Sequence, residues 1–362
     1  MGKAKVQYRR LMKLEAFRGV AALYIVVHHY VHYSPELAFM SKFFVFGQFA
    51  LMVFFLLSGF VIYYATVYRD PDLSFREYIL RRIKRIFPAF LLVLGFTYLM
   101  MSLTQGKWAD PHLDQLIGNI LQLQDKHPYS FIKPYFGNSP LWSLAYEWWY
   151  YMIFWAIYAT LKHNFVYQRM AAIGVTVLGF VTFIIYPNAA SMYASYFMLW
   201  WAGLEMAREW TMTGKITLKE QIGIWAVIFA MGIAWGANAW LFYKNGGPVV
   251  FSDYPFVQAR HFLSVNFILA VAFIWYKLRW FLFNELFSHF EPLAGISYGI
   301  YIFHYPIVIY MVTHRPTGNV WLDLAIIIPV ILGISWLVEK PYQKFFNRLI
   351  KVKKRPMPVK AE

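Results

Sequence analysis

An arginine and a histidine, Arg18 and His29, stand eleven positions apart in the otherwise apolar stretch LEAFRGVAALYIVVHHYVHY, which runs from Leu14 to Tyr33. Eleven residues make close to three helical turns, so on one helix the two side chains share a face, about 16 Å apart along its axis. That face offers a fixed cation at one level and a titratable imidazole at the other. Such groups are rarely left in a bilayer without a task. The adjacent His28 points about 100° away from His29.

Three further constellations carry chemistry. In PLWSLAYEWWYY, Ser143 and Glu147 are one turn apart and face the same way, beside Trp142. Counted along a helix, Glu147 lies about 9 Å inside the outer end of its span. A carboxylate there is expensive unless it is paired or faces a wet cavity. The counting places it level with His29, where the two either share a structural hydrogen bond or work together in catalysis. In ILRRIKRIFP, Arg82 and Arg85 share a helical face at a cytoplasmic helix end, a pattern that more often contacts anionic lipid head groups than serves a specific ligand. In GISYGIYIFHYPIV, Ser297, Tyr298, Tyr301 and His304 form a polar stripe, which more often packs a helix interior than performs chemistry. Arg260 and His261 sit near the outer end of a span, where an arginine is able to snorkel to the interface.

The elements that must hold these groups are membrane helices. Of 362 residues, 60% are hydrophobic, 21% are aromatic and only 14% are charged, with a mean hydropathy of +0.44. That composition is far from a soluble domain's and gives an all-α, polytopic membrane protein. Ten spans of about 20 residues, the length needed to cross the hydrocarbon core, are expected at 15–33, 44–67, 86–105, 141–161, 169–186, 192–210, 220–243, 257–277, 294–313 and 320–343. With the N-terminus cytoplasmic, 27 of the 34 lysines and arginines fall on the cytoplasmic side and 7 on the other. The asymmetry predicts that both termini are cytoplasmic. The net charge of +16 is spread between apolar stretches, so nucleic acid is not an expected partner and membrane lipid is. Cysteine is absent, and no ligand spacing such as HExxH or acidic cluster points to a metal. No cleavable signal is evident. The segment 105–140 is an extracytoplasmic loop long enough to be functional or lid-like. Residues 1–346 are expected to form one transmembrane domain, and 347–362, with the run KVKKRPMPVK, a basic cytoplasmic tail with no further soluble domain.

The segments FRGVAALYIVVHH, FFLLSGFVIYY, RRIKRIFP, PLWSLAYEWWYY, SYGIYIFHYPIV and WLVEKPYQ, in that order, resemble the successive motifs of the membrane acyltransferase family 3 proteins, from about Leu14 to Tyr342. The resemblance implies an integral membrane O-acyltransferase of the cytoplasmic (inner) membrane. It would move an acyl group, acetyl first and succinyl second, from cytoplasmic acyl-coenzyme A onto a hydroxyl of an extracytoplasmic carbohydrate. Carried over by position, the family's first-helix pair falls on Arg18 and His29, with His29 as the catalytic imidazole and Glu147 orienting it. Arg82 and Arg85 become the coenzyme A phosphate site, and Trp142, Ser143, Tyr298, Tyr301 and His304 substrate-binding residues. No permanently bound cofactor is implied. One departure is that Ala50, Leu51 and Met52 precede FFLLSGF where the family often has glycine, valine and an acid. Two other classes remain open: a transporter or exporter whose buried ionisable groups relay protons, and a membrane scaffold that binds a partner through its outer loop. The transporter lacks paired repeats to support it, and the scaffold leaves the intramembrane Arg, His and Glu without a role.

Overall fold

The computed structural model describes residues 2–349 except 45, 162 and 163, with side chains from residue 12 onward. Ten long helices follow one another where ten spans are expected. They are α1 (Gly2–Tyr33), α2 (Gly47–Tyr63), α3 (Phe75–Gln105), α5 (Trp142–Leu161), α6 (Phe165–Ile185), α7 (Ala189–Thr213), α8 (Leu218–Lys244), α9 (Phe256–Lys277), α11 (Ser297–His314) and α12 (Val320–Leu337). Three short ones join them: α4 (Leu113–Ile120), α10 (Phe283–Phe287) and α13 (Gln343–Leu349). No strand occurs among the described residues. The protein is an all-α, polytopic membrane protein. The tail expected over 347–362 lies, from residue 350, outside the described residues.

Seven of the helical segments are long and apolar enough to cross a membrane by length and composition alone. The segments built on α1, α5 and α7 are not among them. The reason is visible in α7, where 17 of 25 residues are buried against other helices. A helix turned mostly toward its neighbours is able to carry polar groups that face the bundle interior, as the buried Glu205 and Glu209 do. The lipid-facing helices show the opposite pattern, with Leu178, Ile185, Ile233, Phe267 and Ile274 all outward and exposed.

Local chemistry sets the helix ends. Ser74 and Glu77 form a reciprocal capping box at the start of α3, and Asn188, Thr217 and Asn319 cap α7, α8 and α12 through side-chain oxygens. At the crossing of α2 and α7, two glycines bring the backbones into contact. A Cβ on Gly59 would strike the Trp200 carbonyl, and one on Gly203 the Leu56 carbonyl.

Two apolar cores result. The larger is built mainly from α2, α3, α5 and α7. The smaller comes from α1, α11 and α12. On α1, Ala21 and Ile25 pack into the first and Ala22 and Val26 into the second. Arg18 and His29 fall on the stripe between these two faces. The polar stripe of α11 meets them there.

Candidate active site

Arg18, Arg82 and Arg85 converge on one cavity of about 290 Å³, whose wall also includes Ser58, Ser143, Glu147, Tyr151, Tyr298 and Tyr301. Three guanidiniums therefore face a single carboxylate across a small space. Glu147 is held by Ser58, which donates to its Oε1 at 2.6 Å, and by a short bond from the Tyr151 hydroxyl. Arg85 pairs with the buried Glu339. Glu339 also accepts from the Gly299 N–H at 3.0 Å, meeting a donor that the first turn of α11 leaves unpaired. The Arg82 guanidinium lies 5.7 Å above the Tyr78 ring and 5.8 Å above the Tyr151 ring. Its buried Nε has no hydrogen-bond partner. Tyr298 donates to the Ile86 carbonyl at 3.2 Å, tying α11 to α3 beside the two arginines.

His29 stands apart from Glu147. Its Nδ1 lies 2.8 Å from His304 Nε2, and the two rings are stacked with centroids 5.0 Å apart. Glu147 instead shares its cavity with Arg18, close to three turns of α1 from His29. The expected His29 and Glu147 pair is thus not formed, and the cause lies in the segment before α5. Asn138 donates to Thr97 Oγ1 of α3 at 2.9 Å and to the Ile302 carbonyl of α11 at 3.4 Å. Tyr135, Asn138 and Leu141 are all buried. The chain is sunk into the bundle before α5 begins, so Glu147 lies deeper than counting from the membrane surface placed it.

The hydrogen bonds around His304 determine what His29 is able to do. His304 Nδ1 sits 3.1 Å from the Ile300 carbonyl, which only accepts, so Nδ1 carries the proton. In the neutral ring Nε2 is then an acceptor, and His29 Nδ1 must donate to it. The lone pair of His29 is thereby placed on its Nε2, the form required of a base. His28 is engaged elsewhere, with Nδ1 against the Phe44 carbonyl and its ring packed on Gly47.

The expected substrate-binding residues separate into three groups. Ser143, Tyr298 and Tyr301 line the cationic cavity. Ser143 and Tyr301 share a hydrogen bond of 2.8 Å, and the Tyr301 ring lies 6.2 Å from that of His304. His304 supports His29. Trp142 lines a different cavity of about 410 Å³, at the end of the bundle where α3 finishes. There Trp142 lies parallel to His261, with ring centroids 5.9 Å apart. His261 is bonded to Tyr196 at 2.9 Å and to Gln48. Sequence reasoning missed Ser58, Tyr151 and Glu339. Glu339 lay within a quoted motif, but its partner Arg85 is 254 positions away.

The acyltransferase domain model matches residues 13–340. This chain belongs to the membrane acyltransferase family 3. It is 24% identical to the Bacillus subtilis (strain 168) protein YrhL, provisionally named a peptidoglycan O-acetyltransferase, over 93% of this chain and 56% of that protein. The chain thus spans about half the length of the curated relative it matches. No solved structure matches it.

Proposed function

We propose that this acyltransferase-family protein transfers an acyl group, acetyl first and succinyl second, from cytoplasmic acyl-coenzyme A to a hydroxyl of an extracytoplasmic carbohydrate, peptidoglycan being the leading class. The observation that carries this reading is the convergence of Arg18, Arg82 and Arg85 on one cavity whose Tyr301 wall lies 6.2 Å, ring to ring, from His304, the partner of His29. Guanidiniums offer planar, bidentate donors to phosphate oxygens, and the free Nε of Arg82 is a donor awaiting such an acceptor. The phosphates of the donor bind at Arg82 and Arg85 and its thioester arm extends past Arg18 toward Tyr301. The distribution of basic residues supports a cytoplasmic entrance for the donor and a cytoplasmic-membrane location.

In the reaction His29 Nε2 removes the proton of the acceptor hydroxyl as its oxygen attacks the thioester carbonyl. The carbon–sulfur bond then breaks, and the imidazolium returns the proton to the departing thiolate. General-base catalysis of this kind contributes about 10² to 10⁴ in rate. An acyl-histidine intermediate is the alternative route through the same residue. His304, not Glu147, orients the base, while Glu147 and Glu339 together balance charge among the three arginines.

Purified protein incubated with acetyl-coenzyme A and a glycan acceptor tests the assignment. His29→Ala should abolish transfer with the protein still folded, whereas activity near wild type removes His29 from the role. Arg82→Ala should chiefly raise the donor KM, and an unchanged KM returns that arginine to lipid contact.

A further inference from the structure

The second cavity differs in chemistry from the first. Its volume of about 410 Å³ falls in the range of small-molecule sites, about 300 to 1,000 Å³. One lysine, Lys126, and two carboxylates, Asp125 and Asp253, line it, so no cluster of cations waits for phosphate. It holds instead neutral hydrogen-bonding groups with unmet capacity. Gln258 is 5% exposed and its Oε1 has no hydrogen-bond partner. His127 is 4% exposed and neither ring nitrogen is hydrogen-bonded, although Nε2 lies 3.7 Å from Asp125. Buried polar atoms left unpaired are costly, so a cavity that gathers several is built for something that completes them. Beside them stands Trp142, an aromatic wall. Unpaired amide and imidazole groups around an aromatic face match a sugar ring, with hydroxyls at its rim and C–H bonds on its face.

Position strengthens the match. Trp142 and Ser143 are consecutive, yet the first lines this cavity and the second lines the cationic one.

We propose that this second cavity is the acceptor site, holding a sugar unit of an uncharged or N-acetylated glycan against Trp142 through Gln258, His127 and Asp125. The assignment rests on the acyltransfer reading given above. Donor and acceptor then approach the reacting centre from opposite ends of the bundle.

Calorimetric titration of the detergent-solubilised full chain with triacetylchitotriose tests it, alongside thiol release from acetyl-coenzyme A by the same preparation. Saturable binding is expected, weakened about tenfold or more in Gln258→Ala, which corresponds to about 1.4 kcal/mol. Asp125→Asn keeps the local shape and guards against a folding artefact, and it should weaken binding likewise. Absence of saturable binding, or equal binding by both folded variants, overturns the inference. Thiol release without glycan binding sinks the acceptor site alone. Glycan binding without thiol release sinks the acyltransfer reading and leaves a carbohydrate site standing.

Discussion

His29 has its protonation decided by a neighbour 275 positions away. The Ile300 carbonyl holds the proton of His304 on Nδ1, and that in turn fixes the tautomer of His29. His304→Ala should therefore lower kcat by about 10²-fold with little change in donor KM, and His304→Gln, whose amide oxygen also accepts, should recover part of the loss. Steady-state kinetics with equal kcat in all three proteins would reduce the pair to packing. A second pair, in the segment between α3 and α5, titrates in opposite senses. Burial pushes the Asp125 carboxyl up to about 6 and draws His127 down to about 4, so the two are not charged together and their 3.7 Å approach is no ion pair. Between about pH 4 and pH 6 folded Asp125 keeps a proton that the unfolded chain has lost, and stability falls as pH rises. Over the same interval folded His127 is neutral while its unfolded form is protonated, and stability rises. Each contributes about 3 kcal/mol at most, and in the wild type they nearly cancel. Asp125→Asn should thus gain stability from pH 4 to pH 6 and His127→Gln should lose it, as read by thermal unfolding in detergent. Lys126, Lys133 and Tyr146 are present in both variants, so their contribution is common to the comparison. Matching slopes would refute the opposed titrations.

Among the helices, the contact of α2 with α7 is the most demanding, because Gly59 and Gly203 place backbone on backbone. Ser58, which holds Glu147, is next to Gly59. Gly203→Val should push the helices apart, cost about 1–3 kcal/mol and lower the unfolding temperature together with activity; an unchanged unfolding temperature would show that the crossing tolerates a side chain. Seven of the ten long helices were legible as apolar runs about 20 residues long, which have few other uses. The grouping of Arg82 and Arg85 was legible too, from their shared helical face. The depth of Glu147 was not, because it depends on Asn138 finding Thr97 and Ile302 across the bundle. The partnership of Arg85 with Glu339 was hidden for a like reason. Glu339 stands in a local π-helical segment, Val338–Tyr342, whose altered register no hydrophobic pattern announces.

Taken whole, the molecule offers two cavities of unlike charge that share the first turn of α5 as a wall. Filled together, they predict initial-velocity lines that intersect when donor and acceptor concentrations are varied. Parallel lines would place an acyl-enzyme before acceptor binding. The sunken segment ahead of α5 has its own outcome. Its bond from Asn138 to Ile302 joins residues 164 positions apart, and contacts so remote in the chain close late. A nascent protein would have to insert its later helices before this stretch gains a place to settle. Truncated translation products ending short of α11 should leave it open to protease, so this end of the molecule is finished only after α11 has been made.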